Sequence, residues 1–142
     1  MSEQANELDG WPMPKHGSFC WTEIASTGAE KCQAFYSSVF GWKFKEGGSA
    51  ADGEMEYREF MTGDENPVGG LYELDPKWFG NDPPPPHFMV YIAVDDIDEN
   101  ARLAAELGAK IHRGPMDIPN VGRMCIIEDP TGAMFCTFQM KK

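Results

Sequence analysis

The chain has 142 residues, with 23 acidic against 12 basic side chains and a formal net charge of −11 at pH 7. This length fits one ordinary domain with its own core, and the negative charge argues against nucleic acid, whose phosphates it would repel. No apolar stretch approaches the roughly 20 residues of a membrane span, so neither nucleic acid nor a membrane is expected as a partner.

The first elements in chain order are a tail, a strand and a helix. Residues 1–16 contain no apolar run and are expected to form a flexible tail rather than a secretory signal. A strand is predicted at 20–26. The helix that follows opens with a capping-box pattern at 27–30 and ends at Gly41. Its predicted buried stripe comprises Cys32, Phe35, Tyr36, Val39 and Phe40.

Three strands and a connector complete the first half of the chain. One strand is predicted at 42–45, and a pair at 55–62 and 68–74. Residues 75–86 include four consecutive prolines, which favour an extended polyproline II connector. The aromatic residues of this connector, Trp78 and Phe79, are expected to pack over the domain.

The second half repeats this order of elements. A strand at 89–94 precedes a helix that opens with an acidic cap at Asp96 and ends at Gly108, and a strand at 109–112 follows. Because the two halves match, the sequence predicts an α+β fold of two βαβββ modules. The predicted buried stripe of the second helix comprises Ile97, Ala101, Ala104 and Leu107, with Leu103 beside it.

The chain closes with a predicted hairpin. Strands at 123–128 and 133–140 flank a turn at 129–132 that has Pro and Gly at favourable positions. A duplicated βαβββ unit usually leaves a cavity between its two sheets. Arg123 is expected to reach the mouth of this funnel-shaped cavity, where it could pair with Glu23 or with an anionic ligand group. The predicted cross-strand pairs are Cys136 with Cys125, Met134 with Ile127 and Phe138 with Arg123.

Several segments at matching places in the two halves carry a family resemblance: FYSSVFGWKF, VGGLYELDP, VYIAVDDID and EDPTGAMFCTFQ. With them the chain resembles the glyoxalase/bleomycin-resistance/dioxygenase (vicinal oxygen chelate) superfamily over about residues 17–140. The resemblance implies a glyoxalase-like domain at 17–142, whose modules at 17–74 and 87–140 curve a mixed sheet around a central funnel. It also implies a homodimer in many members.

In metal-using members of this superfamily, four ligands line the funnel, typically His, Gln or Glu. Carried over by position, these sites fall on Trp21, Met89, Cys136 and a residue within 69–73. Tryptophan is not a metal ligand, and methionine prefers soft ions. The resemblance therefore implies a funnel without a divalent metal, and no cofactor is expected.

An alternative keeps a divalent metal. His87 lies two residues before Met89 and points to the same face of the strand. A metal site built from His87, Glu73 and Glu23 would restore a metal-dependent lyase, isomerase or dioxygenase, of the lactoylglutathione-lyase kind among others.

Without metal ligands the funnel becomes an apolar, aromatic, sulfur-containing pocket, which is the composition of a small-molecule site. Glu23 follows Trp21 by two residues and Tyr91 follows Met89 by two, so each pair shares a strand face. Glu23 and Tyr91 are therefore the candidate catalytic residues, facing each other across the pseudo-twofold axis. The predicted ligand-binding set comprises Trp21, Glu23, Tyr57, Met89, Tyr91, Arg123, Cys125, Cys136 and Phe138.

The sequence favours a metal-independent, glyoxalase-like protein that binds a small organic molecule, and leaves its turnover open. A bleomycin-resistance-like protein would sequester a flat cationic compound by stacking and charge. The metal-dependent enzyme is the other alternative. The cysteines lack metal-binding spacing, and reduced thiols suit a cytoplasmic location. Whether the modules pair within one chain or swap between chains also stays open.

Overall fold

A computed structural model describes residues 12–46, 56–63 and 65–141, apart from the side chains of Trp78 and Phe79. Most of the predicted tail, the start of the strand predicted from 55 and the predicted packing of Trp78 and Phe79 lie outside these residues. The elements in chain order are β1 (Phe19–Ser26), α1 (Ala29–Phe40), β2 (Lys43–Glu46), β3 (Arg58–Met61), β4 (Gly69–Glu73), α2 (Pro76–Phe79), β5 (His87–Ala93), α3 (Ile97–Glu106), β6 (Lys110–Ile118), β7 (Gly122–Glu128) and β8 (Met134–Met140).

These elements form two modules of the same construction. In module one, which contains α1, the strand order is β2-β3-β4-β1; β1 runs parallel to β4 and the other pairs are antiparallel. In module two, which contains α3, the order is β5-β8-β7-β6, and β5 runs parallel to β8. The predicted α+β fold of two βαβββ modules is confirmed, and each module corresponds closely to one compact unit of the chain.

In module one, α1 covers one face of the sheet; the opposite face is called here the helix-free face. Side chains alternate along a strand, so Ile24 of β1 points toward α1, where it is 4% exposed. The core between α1 and the sheet consists of buried Ile24, Ala29, Phe60 and Leu71, with partly buried Cys32, Tyr36, Trp42 and Phe44.

The start of α1 differs from the prediction. The helix begins at Ala29, and its N-cap is Gly28, which has no side chain to satisfy a backbone N–H. The backbone N–H of Ala29 instead donates to Glu73 Oε1 of β4 at 2.8 Å. The predicted capping box at 27–30 is therefore wrong, because the neighbouring strand supplies the acceptor that the helix start needs.

The outer part of the stripe predicted on α1 is not buried. Cys32 and Tyr36 are half-buried against the sheet, whereas Phe35, Val39 and Phe40 are 55%, 55% and 60% exposed. The prediction is wrong for these three residues because helical periodicity identifies an apolar face without showing what covers it.

Module two has its own core beneath α3. Asp96 caps the helix as predicted, its carboxylate accepting a first-turn backbone N–H at 3.2 Å. Of the predicted stripe, Leu103 and Leu107 are exposed instead, by 45% and 69%. The core consists of buried Val94, Ile97, Ala101, Cys125 and Ile127, with partly buried Ala104, Ala109, Ile111 and Phe135.

The final hairpin pairs in a register one residue away from the predicted one. Asp129 Oδ1 accepts the backbone N–H of Thr131 at 2.7 Å and of Ala133 at 3.1 Å. Ala133 therefore joins the turn, and Glu128 pairs with Met134. A slip of one residue turns each side chain to the other face. The observed pairs include Arg123 with Gln139, Met124 with Phe138, Cys125 with Thr137 and Ile126 with Cys136.

Two further bounds differ from the prediction. The strand predicted at 109–112 is β6, which continues to Ile118. The connector, predicted to be extended, contains the short helix α2, whose first turn is capped by Asp75. In the part of the chain that the structure describes, no helix is long and apolar enough to cross a membrane.

Candidate functional site

The helix-free face of module one brings together three residues of the predicted ligand-binding set. Trp21 and Glu23 share this face because they are two positions apart on β1. Tyr57, one residue before β3, is 6% exposed and reaches the same face. Trp21 and Glu23 are half-buried. The alternation of strand side chains was therefore enough to predict that Trp21 and Glu23 lie together.

The three side chains form a hydrogen-bonded chain. Trp21 Nε1 donates to Tyr57 Oη at 2.9 Å. Tyr57 Oη donates in turn to Glu23 Oε2 at 2.6 Å, a short bond to a carboxylate oxygen. We call Trp21, Tyr57 and Glu23 the polar triad. The indole orients the phenol, and the phenol holds the carboxylate in one position.

A glycine makes the polar triad possible. Gly70 of β4 pairs with Glu23 on one side and with Glu59 on the other. A Cβ atom on Gly70 would overlap the Tyr57 hydroxyl. The Tyr57 ring therefore crosses β4 over Gly70 to reach the carboxylate on β1. A side chain at position 70 would displace the hydroxyl from Glu23.

The surroundings of Tyr57 keep its hydroxyl protonated. Burial raises the pKa of Tyr57 well above 10, and the charge of Glu23 and the hydrogen bond to it raise the pKa further. At neutral pH the phenol is therefore a hydrogen-bond donor. The polar triad presents an oriented carboxylate beside an indole, a combination suited to a ligand with a donor or positive group and an aromatic body.

In module two, four other predicted residues lie on the face of the sheet opposite α3, which is likewise called the helix-free face of that module. Tyr91 of β5 pairs with Cys136 of β8, and Phe138 pairs with Ala93 two residues further along. Tyr91 and Cys136 are 5% and 2% exposed. Met89, at the start of β5, is half-buried. The predicted pairing of Glu23 with Tyr91 across the pseudo-twofold axis stays a prediction.

Two members of the predicted set lie on the other face. Cys125 belongs to the core beneath α3. Arg123 donates to Asp98 Oδ1 at 2.8 Å and to Asp117 Oδ1 at 2.9 Å, so its predicted reach toward Glu23 or an anionic ligand is wrong. The register of β7 with β8 explains both displacements, because the extra turn residue reverses the faces of β7 relative to the prediction.

The family model described as the Glyoxalase/Bleomycin resistance protein/Dioxygenase superfamily matches residues 19–137. The chain belongs to this superfamily. It is 37% identical over 119 residues to the candidate glyoxylase CFP32 of Mycobacterium bovis, covering 84% of this chain and 42% of that protein. It is 27% identical over 132 residues to the anthracycline biosynthesis protein DnrV of Streptomyces peucetius, covering 87% of this chain and 47% of that protein. The chain thus spans less than half the length of these curated relatives.

Solved structures confirm the glyoxalase-like fold. Methylmalonyl-CoA epimerase of Streptomyces coelicolor superimposes with a TM-score of 0.62 at 14% identity, covering 90% of this chain and all of the other. An extradiol ring-cleaving dioxygenase of B. fuscum superimposes with a TM-score of 0.60 at 18% identity, covering 92% of this chain and 34% of that chain. At these identities the comparison concerns the fold alone.

The strand register now identifies the fourth position of the superfamily's metal set. In module two, Cys136 pairs with Tyr91, and at the equivalent step of module one Gly70 pairs with Glu23. Gly70 is therefore the counterpart of Cys136, within the range 69–73 left open by the sequence. Trp21 and Gly70 therefore occupy the two positions of module one at which metal-using members carry ligands. Neither residue is a ligand for a divalent ion, so the residues present do not fit the metal.

The alternative metal site of His87, Glu73 and Glu23 does not form. Glu73 lies three residues from Gly70, so it points to the opposite face from Glu23, and it is engaged at the start of α1. His87 Nδ1 lies 2.8 Å from the carbonyl oxygen of Pro85. Among the described residues, no group of three or more His, Cys, Asp or Glu could hold a metal ion.

Three of the four cysteines are protonated thiols at neutral pH. No disulfide joins any of the four. Burial raises the pKa of Cys20 to about 11 and also raises the pKa of Cys32 and Cys125. A raised pKa keeps a thiol protonated at neutral pH, and the thiolate is the reactive form. The chemistry of the helix-free faces therefore does not depend on these three thiols.

Sequence reasoning missed two features of module one. The first is the role of the glycine pair at 69 and 70, for which glycine inside a strand is the available signal, since it often marks close approach of another group. The second is Arg58, whose side chain is 8% exposed. Arg58 donates to Glu30 at 2.5 Å and to Gln33 at 2.8 Å. It thereby ties β3 to α1 and has a structural role.

Proposed function

We propose that the chain binds a small organic molecule with a planar aromatic body and a positive group, on the helix-free face of module one and without a divalent metal. The polar triad supports this proposal, since Trp21 stands at one carried-over metal position of module one and the Tyr57 hydroxyl lies over the other, Gly70. A metal-dependent lyase, isomerase or dioxygenase is not supported in this way, because neither Trp21 nor Gly70 can be a ligand for a divalent ion. The proposal does not include turnover.

The carboxylate of Glu23 supplies the recognition of charge. Tyr57 uses one oxygen of Glu23, and each carboxylate oxygen can accept more than one hydrogen bond. A ligand ammonium group would be attracted by this half-buried carboxylate, and the Trp21 ring would supply an aromatic group for the ligand body. The net charge of −11 favours the approach of a cation.

The comparisons are compatible with such a ligand. DnrV is named for anthracycline biosynthesis, and anthracyclines combine a planar polycyclic body with an amino sugar. The family name includes bleomycin resistance proteins. The free thiols suit a reducing compartment, so the proposal places this binding protein in the cytoplasm.

Calorimetric titration with daunorubicin and with its neutral aglycone tests the proposal. We expect saturable binding of daunorubicin, weaker binding of the aglycone, and a loss of affinity for daunorubicin of at least about tenfold in Glu23→Gln. Glu128→Gln is the matched control, because it removes a carboxylate paired with His112 in module two. Absence of saturable binding, or equal affinity in wild type and Glu23→Gln, would refute the proposal.

A further inference from the structure

The helix-free face of module one carries a row of residues that crosses all four strands of the module. Lys45 of β2 pairs with Glu59 of β3. Gly70 of β4 pairs with Glu59 on one side and with Glu23 of β1 on the other. Residues paired directly across strands lie side by side on one face of a sheet. From β2 to β1 the row therefore consists of a lysine, a glutamate, a glycine and the glutamate of the polar triad.

The two ends of this row carry opposite charges. The carboxylate of Glu23 stands at the β1 end. At the β2 end, Lys43 and Lys45 both point to the helix-free face, because Phe44 between them packs into the core beneath α1. The order β2-β3-β4-β1 puts three strand spacings, about 14 Å, between the lysine strand and the strand of Glu23. The helix-free face is therefore polarised along the row.

The β2 end keeps a positive charge after its internal ion pair is counted. Lys45 Nζ lies 3.5 Å from Glu59 Oε1, and the side chains of Lys45 and Glu59 are 54% and 19% exposed. Lys45 thus compensates the mostly buried charge of Glu59. Lys43 is exposed, and among the described residues no acidic side chain forms an ion pair with it. Two lysines against one glutamate leave this end positive, in a chain whose net charge is −11.

An apolar side chain stands beside each charged end. Met61 pairs with Lys43 and lies two residues after Glu59, so it shares the helix-free face. Met61 is half-buried, and a methionine adapts its shape to a flat partner. At the other end, Trp21 lies two residues before Glu23 on β1. A planar body that spans the face would therefore have an apolar contact next to each charged end.

We propose that the ligand of this face is amphoteric: its positive group lies at Glu23, and an acidic group at the far end of its planar body lies at Lys43 and Lys45. This inference rests on the proposed function, which requires the positive group alone. A second positive group on the ligand would meet the two lysines, so charge selects against it. An acidic group would instead neutralise the excess positive charge of the β2 end.

Calorimetric titration at neutral pH with ciprofloxacin and with its ethyl ester tests this inference. Ciprofloxacin has a planar quinolone body with an ammonium group at one end and a carboxylate at the other, and the ester lacks the negative charge. We expect wild type to bind ciprofloxacin about fivefold more tightly than the ester. Lys43→Gln should lower this preference to about twofold, and Lys43→Glu should abolish or reverse it. Lys43 has no ion pair to lose, so both variants should fold.

Two further variants separate this inference from the proposed function. Glu23→Gln should weaken ciprofloxacin and the ester by the same factor, because both carry the ammonium group. Lys31→Gln, at an exposed residue of α1, is the control and should change neither affinity.

Three results would overturn the amphoteric ligand. The first is binding of the ester that depends on Glu23, with no preference for ciprofloxacin; the proposed function would then stand. The second is an equal preference in wild type and Lys43→Glu. The third is the absence of saturable ciprofloxacin binding, and the titration with daunorubicin then shows whether the proposed function fails as well.

Discussion

A Gly69→Ala variant is expected to lose about 3 kcal/mol of its free energy of unfolding. A Cβ atom on Gly69 would overlap the backbone carbonyl oxygen of Thr22 on β1 and the ring of Phe60. The backbone of a hydrogen-bonded strand cannot move aside as the end of a flexible side chain can. The Phe60 ring is also confined, because Phe60 is 2% exposed within the core. The alanine would therefore separate β4 from β1 or displace the core ring.

Urea unfolding followed by circular dichroism measures this effect. Gly63→Ala is the matched control, because an added Cβ there meets no atom within 4 Å, and its stability should stay within about 0.5 kcal/mol of wild type. Equal stability of Gly69→Ala and Gly63→Ala would show that β4 is not held against β1 as described.

A Tyr57→Phe variant is expected to lose about 2 kcal/mol of stability at pH 8, since it removes a buried hydrogen bond to a carboxylate. The difference from wild type should shrink at alkaline pH. The pKa of Tyr57 is raised above its ordinary value of 10 in the folded state. Its contribution is therefore fully present below about pH 10 and is lost as the pH rises through the folded pKa.

Unfolding titrations of wild type and Tyr57→Phe at pH 8 and at about pH 10.5 measure this difference. At pH 8, Tyr36→Phe serves as the control, because Tyr36 stacks on Trp42 and lies outside the polar triad. Wild type should lose more stability between the two pH values than Tyr57→Phe does. Parallel losses in the two proteins, or no difference at pH 8, would contradict the role given to the Tyr57 hydroxyl.

The local residue pattern was sufficient to predict the helices, most of the strands and part of the candidate site. The alternation of strand side chains placed Trp21 and Glu23 on one face. The left-handed Gly41 ends α1 as predicted, with φ of 74°. These features depend only on residues that are close in sequence, so the sequence determines them without knowledge of the neighbours.

Features that depend on a second element were not predictable in the same way. The hairpin register changed because the Asp129 side chain enlarges the turn to include Ala133. The start of α1 is satisfied by Glu73, which is distant in sequence. The passage of Tyr57 over Gly70 requires the register of three strands. Each depends on a tertiary contact that periodicity does not encode.

Metal analysis of the protein, purified without a histidine tag, tests most directly whether the polar triad has replaced a metal site. The protein is incubated separately with nickel, zinc, manganese, iron(II) and cobalt, and excess metal is removed. We expect far less than one equivalent of any metal per chain, because Trp21 and Gly70 supply no ligand. One equivalent that is lost in His87→Ala or Cys136→Ser would contradict a metal-independent site.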